Sequence, residues 1–300
     1  MITSGNVPEH LVVGARSGFL EAVKTAVLPW QKIAGQLNMD SKSVDIVDLG
    51  AAPMPVESVG GPNLQGFAER SLLVKPRDWE ITVGLSYNAF MDDQTGGSLM
   101  TRVRGTGANF QKHINKLVFQ ALNGGDGTTY GSAYNGFEFF DTVHVDKGAA
   151  YQTAQSNLKA LSLTLPNFTT NLNVARAFLD DQGELVEHDY NLLIVPPAYE
   201  YQAAQICTNP FAYTTANREN NPYSGRFDYL VSGHLDSTAW IIAATNEPQK
   251  PIYLAMREQP NLQAYGFDEK AADGGRYWFK FYARYNIFYG DWRLALLGAT

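Results

Sequence analysis

The sequence is poor in cysteine and in charge, and it has no long hydrophobic run. Cys207 is the single cysteine among 300 residues, so an intrachain disulfide is excluded and a thiolate metal cluster is not expected. The longest apolar runs, 192–198 and 239–244, fall far short of the ~18 residues that cross a membrane. The first ten residues lack the basic and apolar regions of a signal peptide. We therefore expect a chain that is made in the cytosol and is neither secreted nor embedded in a membrane.

The balance of charge argues against one broad class of function. Acidic residues number 30 and basic residues 23, which gives a net charge of -7, and such an excess repels nucleic acid as a whole. Charged residues make up 18% of the chain, below the roughly 25% that is usual for soluble domains. Hydrophobic residues at 45% are enough for a sizeable core, and aromatic residues at 12% indicate extensive packing or interface surface.

The common catalytic signatures are also missing. The sequence contains no G-x-S-x-G elbow, no Walker A sequence and no H-E-x-x-H pair. The glycines at 105 and 107 lie inside a helical pattern, and Phe110 stands where a dinucleotide fingerprint needs its third glycine. We expect no catalytic residue, cofactor or bound metal. A hydrolase that uses His144 or His188 with the neighbouring acids is an alternative that the sequence leaves open.

The N-terminal part of the chain predicts a helix followed by an extended arm. Apolar residues recur at three- and four-residue steps over 8–28, which predicts an amphipathic helix that Pro29 ends or kinks. Two strand-like segments, 44–49 and 79–85, lie on either side of residues 50–66, which contain three prolines and four glycines. Such a stretch cannot form a regular helix and has little apolar content with which to fold alone. We predict a two-stranded arm whose long loop serves a purpose outside the core.

The strongest helical pattern covers residues 95–122 and carries one sign of charge. A single apolar stripe includes Val103, Phe110 and Ile114, and Gly124 is a suitable stop. The helix would be about 40 Å long. Its charged residues are all basic, in a chain of net charge -7, and they are Arg102, Arg104, Lys112 and Lys116.

The second half of the chain mixes helices and strands, so the fold class is α+β. Residues 277–289 are the clearest strand, because Tyr277, Phe279 and Phe281 alternate with polar residues. The other predicted elements are a helix at 172–181, a buried strand at 191–195, a helix that opens at Pro196-Pro197 and runs to about 207, a long loop at 208–226, strands at 240–244 and 251–258, and an apolar continuation at 294–297.

Two local sequences carry a resemblance to a known family. Residues 139–142 read FFDT and are followed by His144, which is similar to the "FFDTDHP" signature of the Mu-like phage major head subunit family, also called the T protein family. Residues 192–200 read LLIVPPAYE, which resembles that family's "LVVPPALE" strand–helix junction. The resemblance covers roughly residues 75–297, and it departs from the signature at Val143, Val145 and Asp146. The first seventy residues match in architecture alone.

The resemblance implies a major capsid protein with the Hong Kong 97 phage capsid fold. In that fold an N-terminal arm and an extended loop reach over neighbouring subunits, a peripheral domain holds a long spine helix, and an axial domain packs around the capsomer axes. The corresponding residues here are 1–45 for the N-terminal arm, 46–85 for the extended loop, 86–170 with 248–292 for the peripheral domain, and 171–247 with 293–300 for the axial domain. The prolines and glycines of 50–66 become sensible if that loop is ordered on a neighbour.

The implied function is assembly of an icosahedral phage or prophage head that encloses double-stranded DNA. The implied partners are other copies of the chain in hexamers and pentamers, a separate scaffolding protein, a portal, packaged DNA and, in some particles, a decoration protein. We expect Arg102, Arg104, Lys112 and Lys116 to face the DNA from the inner wall. The implied location is the virion capsid, after synthesis in the host bacterial cytoplasm. The alternatives are a minor virion or decoration protein, or a β-rich, non-enzymatic binding module that uses the loop at 208–226.

Overall fold

The computed structural model describes residues 9–25, 28–49, 69–86, 97–145, 152–212, 219–268 and 275–299. The helices in these ranges are α1 Glu9–Thr25, α2 Gly97–Asn123, α3 Leu165–Arg176 and α4 Glu200–Cys207. The strands are β1 Ala34–Asn38, β2 Val44–Leu49, β3 Glu69–Val74, β4 Arg77–Ser86, β5 Leu158–Lys159, β6 Leu192–Val195, β7 Asp228–Val231, β8 Trp240–Ala243, β9 Ile252–Asp268, β10 Arg276–Tyr289 and β11 Ala295–Gly298. Among the described helices, none is long and apolar enough to cross a membrane.

A large four-stranded sheet in the order β1-β9-β10-β4 is the centre of the fold. β10 pairs antiparallel with both β9 and β4, while β1 lies parallel to β9. The alternation in β10 is confirmed, because its odd-numbered residues from 277 to 287 are buried and its even-numbered residues from 276 to 286 are half-buried. Helices α1 and α2 cover the buried face. Phe19 of α1 contacts Phe110 of α2 and Phe281 of β10, with ring centroids 6.1 and 5.0 Å apart.

The long basic helix is confirmed as α2, which ends at Asn123, one residue before the predicted stop. Val103, Phe110 and Ile114 are buried, as the apolar stripe predicts. The glycine at 107 has a packing role, because a Cβ there would lie 2.8 Å from the backbone oxygen of Phe19. Gly107 therefore lets α1 approach α2 closely.

The opposite face of the large sheet holds the base of a hairpin. Strands β2 and β3 pair antiparallel. The chain beside them forms a small second core with the sheet. The buried members of this core are Met39, Val74, Ala255 and Phe288, and Leu37, Leu72 and Tyr253 pack against them. The rings of Phe288 and Tyr253 stack with centroids 5.3 Å apart. The hairpin and the two helices are thus anchored to opposite faces of one sheet.

The partner of the first strand of the arm differs from the prediction. The segment 44–49 pairs with Glu69–Val74, whereas the predicted partner at 79–85 lies in β4 and pairs with β10. Trp79 and Val83 alternate with polar residues along an edge strand, which buries one of its sides against the helices. This one-sided burial fits an edge of the large sheet better than an exposed arm. Residues 50–66 lie outside the described residues.

A second sheet, in the order β5-β11-β8-β6-β7, follows the chain into its C-terminal half. Every residue of β6, β8 and β11 is buried, as expected for central strands covered on both faces. The predicted strands at 191–195 and 240–244 and the helix to 207 are confirmed as β6, β8 and α4. The predicted loop at 208–226 is described up to 212 and from 219 onward, and there the loop carries an isolated bridge between Phe211 and Asn220.

One helix and one strand differ in length or place. The helix predicted at 172–181 is α3, Leu165–Arg176, which begins earlier because Thr164 caps it through Asn167 N–H and Pro166 occupies its first turn. The strand predicted at 251–258 continues to Asp268. The register between β9 and β10 shifts beside Pro260, and such a bulge lets a strand continue past a residue that has no N–H to donate.

A comparison of two directly paired residues tests the packing of the large sheet. Phe281 and Ile81 face each other across β10 and β4, but Phe281 is 1% exposed and Ile81 is 38% exposed. We expect Phe281→Ala to lower the free energy of unfolding by about 3–5 kcal/mol, and Ile81→Ala to cost less than half as much because it leaves a smaller cavity. Urea unfolding of the unassembled subunit measures both, and equal costs would contradict the arrangement of the core.

Candidate functional site

Three of the four predicted basic residues share one side of α2. At about 100° per residue, Arg102, Lys112 and Lys116 fall within a sector of about 80° on the side away from the buried stripe. All three are exposed, and among the described residues none of them forms an ion pair. The helix has no acidic residue, so this surface, which we call the basic face of α2, carries three positive charges that have no acidic partner among the described residues.

Arg104 is separated from the other three. It projects about 80° from Lys112 around the helix axis, and its guanidinium lies 3.6 Å from the Glu21 carboxylate of α1. Both side chains are well exposed, so the pair stabilises the subunit little. It does, however, neutralise Arg104, which makes this residue the weakest of the four predicted contacts to an anion.

Two basic residues of β10 on the other side of the sheet are paired with acids. Arg284 Nε lies 2.6 Å from Asp78 Oδ1, and its Nη1 lies 3.4 Å from Glu258 Oε1. Lys280 is paired with Glu80. These even-numbered residues of β10 lie on the face opposite α1 and α2, so the two faces of the sheet differ in their net positive charge.

His113 attaches α2 to the large sheet. Its Nδ1 lies 2.7 Å from the hydroxyl of Tyr285, and its ring lies against Trp79 with centroids 4.4 Å apart. Burial raises the pKa of Tyr285, so the phenol keeps its proton in this hydrogen bond with His113. Burial, and then the charge of Lys116, lower the pKa of His113. A neutral imidazole therefore accepts this hydrogen bond beneath the basic face.

His144 is placed as a structural residue. It is 1% exposed and its ring stacks on Trp292 with centroids 4.0 Å apart. Its Nε2 lies 3.0 Å from Asn157 Oδ1 and its Nδ1 lies 3.0 Å from Asn135 Nδ2. Since the amide of Asn157 donates to carbonyl groups, its Oδ1 accepts from His144 Nε2–H, and Nδ1 accepts from Asn135. Both ring nitrogens are thus occupied and neither reaches a substrate.

Asn157 connects the segment that carries the family signature to the end of the chain. Its amide nitrogen lies within hydrogen-bond distance of the carbonyl oxygens of Phe139, Trp292 and Ala295, at 2.8, 3.1 and 3.2 Å. Its Oδ1 also accepts from Asp141 N–H at 2.9 Å. Phe139 and the neighbouring phenylalanine are fully buried. The FFDT sequence is therefore a packing and hydrogen-bonding element.

His188 lies beside a buried arginine. Its Nδ1 lies 3.9 Å from Glu247, and burial is the main cause that lowers the pKa of His188, with Asp291 and Glu247 opposing it. Nearby, Arg293 is 5% exposed and donates to the carbonyl oxygen of Leu179 at 2.9 Å and to the hydroxyl of Tyr134. These groups join the end of β10 to the second sheet.

Tyr190 and Cys207 are two buried side chains that are held in unreactive forms. Tyr190 donates its hydroxyl to the carbonyl oxygens of Ala175 and Arg293, at 3.1 and 2.5 Å, and burial raises the pKa of its phenol. Burial, and then the charge of Asp228, raise the pKa of the Cys207 thiol to about 12. In the described part of the chain, no group of three or more His, Cys, Asp or Glu could hold a metal ion.

A comparison with family models gives one match. The model of the Mu-like prophage major head subunit gpT matches residues 9–162, which is just over half of the chain. The match contains the FFDT sequence and all four basic residues of α2, and it begins well before the residue near 75 where the resemblance in sequence was expected to start. The LLIVPPAYE junction lies beyond its end. A comparison with curated proteins gives no significant match.

Solved structures of similar fold are phage and phage-like capsids. The procapsid of bacteriophage JBD30 matches with a TM-score of 0.55 and 19% identity over 98% of this chain and 76% of that chain. The virus-like particle of Pyrococcus furiosus matches with a TM-score of 0.54 and 10% identity over 95% and 97% of the two chains. Mycobacterium phage Patience gives 0.56 and 11% over 98% and 90%. The expected Hong Kong 97-type capsid fold is confirmed.

Sequence reasoning found the basic face but not the groups that hold the fold together around it. Asn157 and Arg293 stand in segments without a recognisable motif, and their partners are mainly backbone carbonyl groups, which leave no signal in a sequence. The presence of an arginine in an apolar C-terminal stretch was the one available hint.

A pH series tests the role of His113. The unfolded chain takes up the histidine proton near the ordinary pKa of 6.5, and the folded chain does so at lower pH, so the unfolded state binds more protons in between and stability falls as the pH falls. We expect the melting temperature of the wild-type subunit to drop between about pH 7 and pH 5, and that of His113→Gln to drop less. The same change at the exposed His234 is the control, and identical pH profiles for wild type and His113→Gln would contradict the assignment.

Proposed function

Because this chain belongs to the Mu-like prophage major head subunit gpT family, and so is a phage major capsid protein that forms a shell, we propose that its icosahedral shell encloses double-stranded DNA against the basic face of α2. The family match supports the statement that the chain forms a capsid shell. The uncompensated charge of Arg102, Lys112 and Lys116 supports the position of the DNA. The proposed assembly units are hexamers and pentamers of the chain.

The division of the chain follows from the same proposal. Residues 1–45 act as the N-terminal arm and 46–85 as the extended loop, with strand β4 returning from that loop into the large sheet. The peripheral domain is 86–170 with 248–292, and it contains α2 as the spine helix. The axial domain is 171–247 with 293–300, and it contains the second sheet apart from β5. Its buried strands β6, β8 and β11 belong to the large hydrophobic core that the two sheets share.

The placement of DNA on the side of α2 is supported by electrostatics. DNA presents closely spaced phosphates, and cations that replace its counterions bind it without reading its sequence. The basic face offers three exposed cations along about 21 Å of helix, and the chain as a whole carries -7. On the opposite face of the sheet, the cations of β10 are already paired. The cations on the α2 side therefore gain more from phosphate than these paired cations of β10.

The other partners follow from the needs of a shell. A separate scaffolding protein directs assembly, a portal occupies one vertex, and a decoration protein is compatible with the fold. The protein works by assembly and not by catalysis, which the occupied ring nitrogens of His144 support. It is located in the virion capsid after synthesis in the host bacterial cytoplasm. A minor virion or decoration protein is the second candidate, and the copy number per particle separates the two.

Removing the charge of the basic face tests the contact with DNA. We expect Lys112→Gln with Lys116→Gln to assemble into normal shells, because both side chains are exposed, but to hold DNA with a smaller dependence on salt, by about 0.9 in logarithmic slope for each lost contact. The DNA retained by purified particles at increasing salt is the measurement. Lys42→Gln with Arg226→Gln, two exposed basic residues outside α1 and α2, is the control. A particle structure that places Lys112 and Lys116 on the outer surface would refute the proposal.

Deleting residues 50–66 tests the assignment of the extended loop. The deleted residues have little apolar content in their sequence, so we expect a folded subunit whose unfolding midpoint stays close to that of the wild type. Negative-stain electron microscopy of the two proteins, each made with the same scaffold genes, should show closed shells for the wild type and few or none for the deletion. Normal shells from the deleted chain would show that the loop is not needed between subunits.

A further inference from the structure

A groove lies at the base of the β2–β3 hairpin. It has a volume of about 420 Å³ and runs between the turn from β3 to β4, the loop at 129–132 and the last residues of β10. Its apolar part includes Leu73, which is 54% exposed. Lys75 and Arg77 are exposed at its wall, and its described lining contains no acidic residue. The groove is therefore lined about equally by polar and apolar surface, and its rim is positive.

A rigid turn elsewhere on the subunit has the opposite character. Leu185 stands on it with 51% of its surface exposed, and the exposed carboxylates of Glu184 and Glu187 flank it. Ten residues, 180–189, contain five acids and no lysine or arginine. We call residues 179–187 the acidic turn, and it does not line the groove of its own subunit.

Hydrogen bonds fix the shape of the acidic turn. Asp180 Oδ1 accepts from the backbone N–H of Gln182 and Glu184 at 2.8 and 2.9 Å. The backbone of Asp180 and Glu184 closes the turn at 2.8 Å, with Gly183 at a φ of 91° that favours glycine. Leu179 is held by two hydrogen bonds to the side chain of Gln155. Leu185 is thus presented by a preorganised turn, which lowers the entropic cost of docking it.

We propose that the acidic turn of one copy docks into the groove at the hairpin base of a neighbouring copy, with Leu185 against Leu73 and the glutamates against Lys75 and Arg77. This inference rests on the proposed shell and adds the residues of one contact in it. The occupant is a second copy because the glutamates of the acidic turn complement the cations at the rim of the groove, and because the turn does not line the groove of its own subunit. Such a contact is heterologous, and repetition of it builds rings.

Disulfide trapping in assembled shells tests the contact. The protein offers a clean background, because its single cysteine is buried. Shells of Leu73→Cys with Leu185→Cys, treated with a mild oxidant, should give a ladder of covalent multimers larger than dimers on a non-reducing gel. Each single variant should give no product beyond a dimer. Leu73→Cys with Tyr201→Cys, which places the second thiol at another exposed position, is the matched control and should give no such ladder.

Charge reversal gives a second measurement that does not depend on the cysteine variants. Lys75→Glu with Arg77→Glu, or Glu184→Lys with Glu187→Lys, should each lower the yield of shells about tenfold, since like charges then face each other. The combination of all four changes should restore much of the yield. Glu219→Lys with Arg226→Glu, two exposed positions outside both segments, is the control.

The outcomes separate this contact from the proposed function. Oxidised shells of the double cysteine variant that remain monomeric on the gel would overturn the contact. Wild-type yield from either reversed pair, or no recovery in the fourfold variant, would do the same. A wild-type chain that forms no shells under the conditions tested with its scaffold would count instead against the proposed function.

Discussion

The alternation of side chains along β10 is the constraint on which the rest of the structure depends. Its odd-numbered residues form the floor beneath α1 and α2, where Phe281 contacts Phe19 and Tyr285 binds His113. Its even-numbered residues form the opposite surface, where Phe288 packs in the second small core and Arg284 pairs with acids of both neighbouring strands. One strand thus decides that the basic helix and the hairpin lie on opposite sides of the sheet. A shift of one residue in its register would exchange these surfaces.

A second constraint holds the two sheets in a fixed relation. β10 leads through Trp292–Leu294 directly into β11, so the same stretch of chain belongs to both sheets. Asn157 binds carbonyl groups on either side of that passage, and Arg293 binds Leu179 across it. Buried polar groups of this kind are costly unless they are satisfied, and here most of their capacity is used. The family signature at 139–142 belongs to this joint, which explains its composition without reference to catalysis.

The sequence was most informative where periodicity and burial agree. α2 and β10 were predicted to within two residues, because each has a long, regular apolar pattern with one partner surface. The pairing of β2 was not predictable, since the alternation of 79–85 is compatible with either an arm or a sheet edge, and only the tertiary partner decides. The helix at Leu165–Arg176 was misplaced because the apolar residues from 172 onward were weighted above the capping signal of Thr164 and Pro166. The shared side of Arg102, Lys112 and Lys116 followed from helical spacing, whereas the pairing of Arg104 with Glu21 depends on how α1 packs.

The joint between the sheets has a consequence for a closed shell. Identical chains in such a shell meet at angles that differ between rings of five and rings of six. A subunit could adapt by bending between its two sheets, but that bend would pull the buried side chains of Arg293 and Asn157 away from the carbonyl groups they bind. Bending there is therefore expensive, and the cheaper adjustment is to tilt whole subunits against one another. The curvature of the shell is then set at the contacts between rigid subunits and not by bending within them.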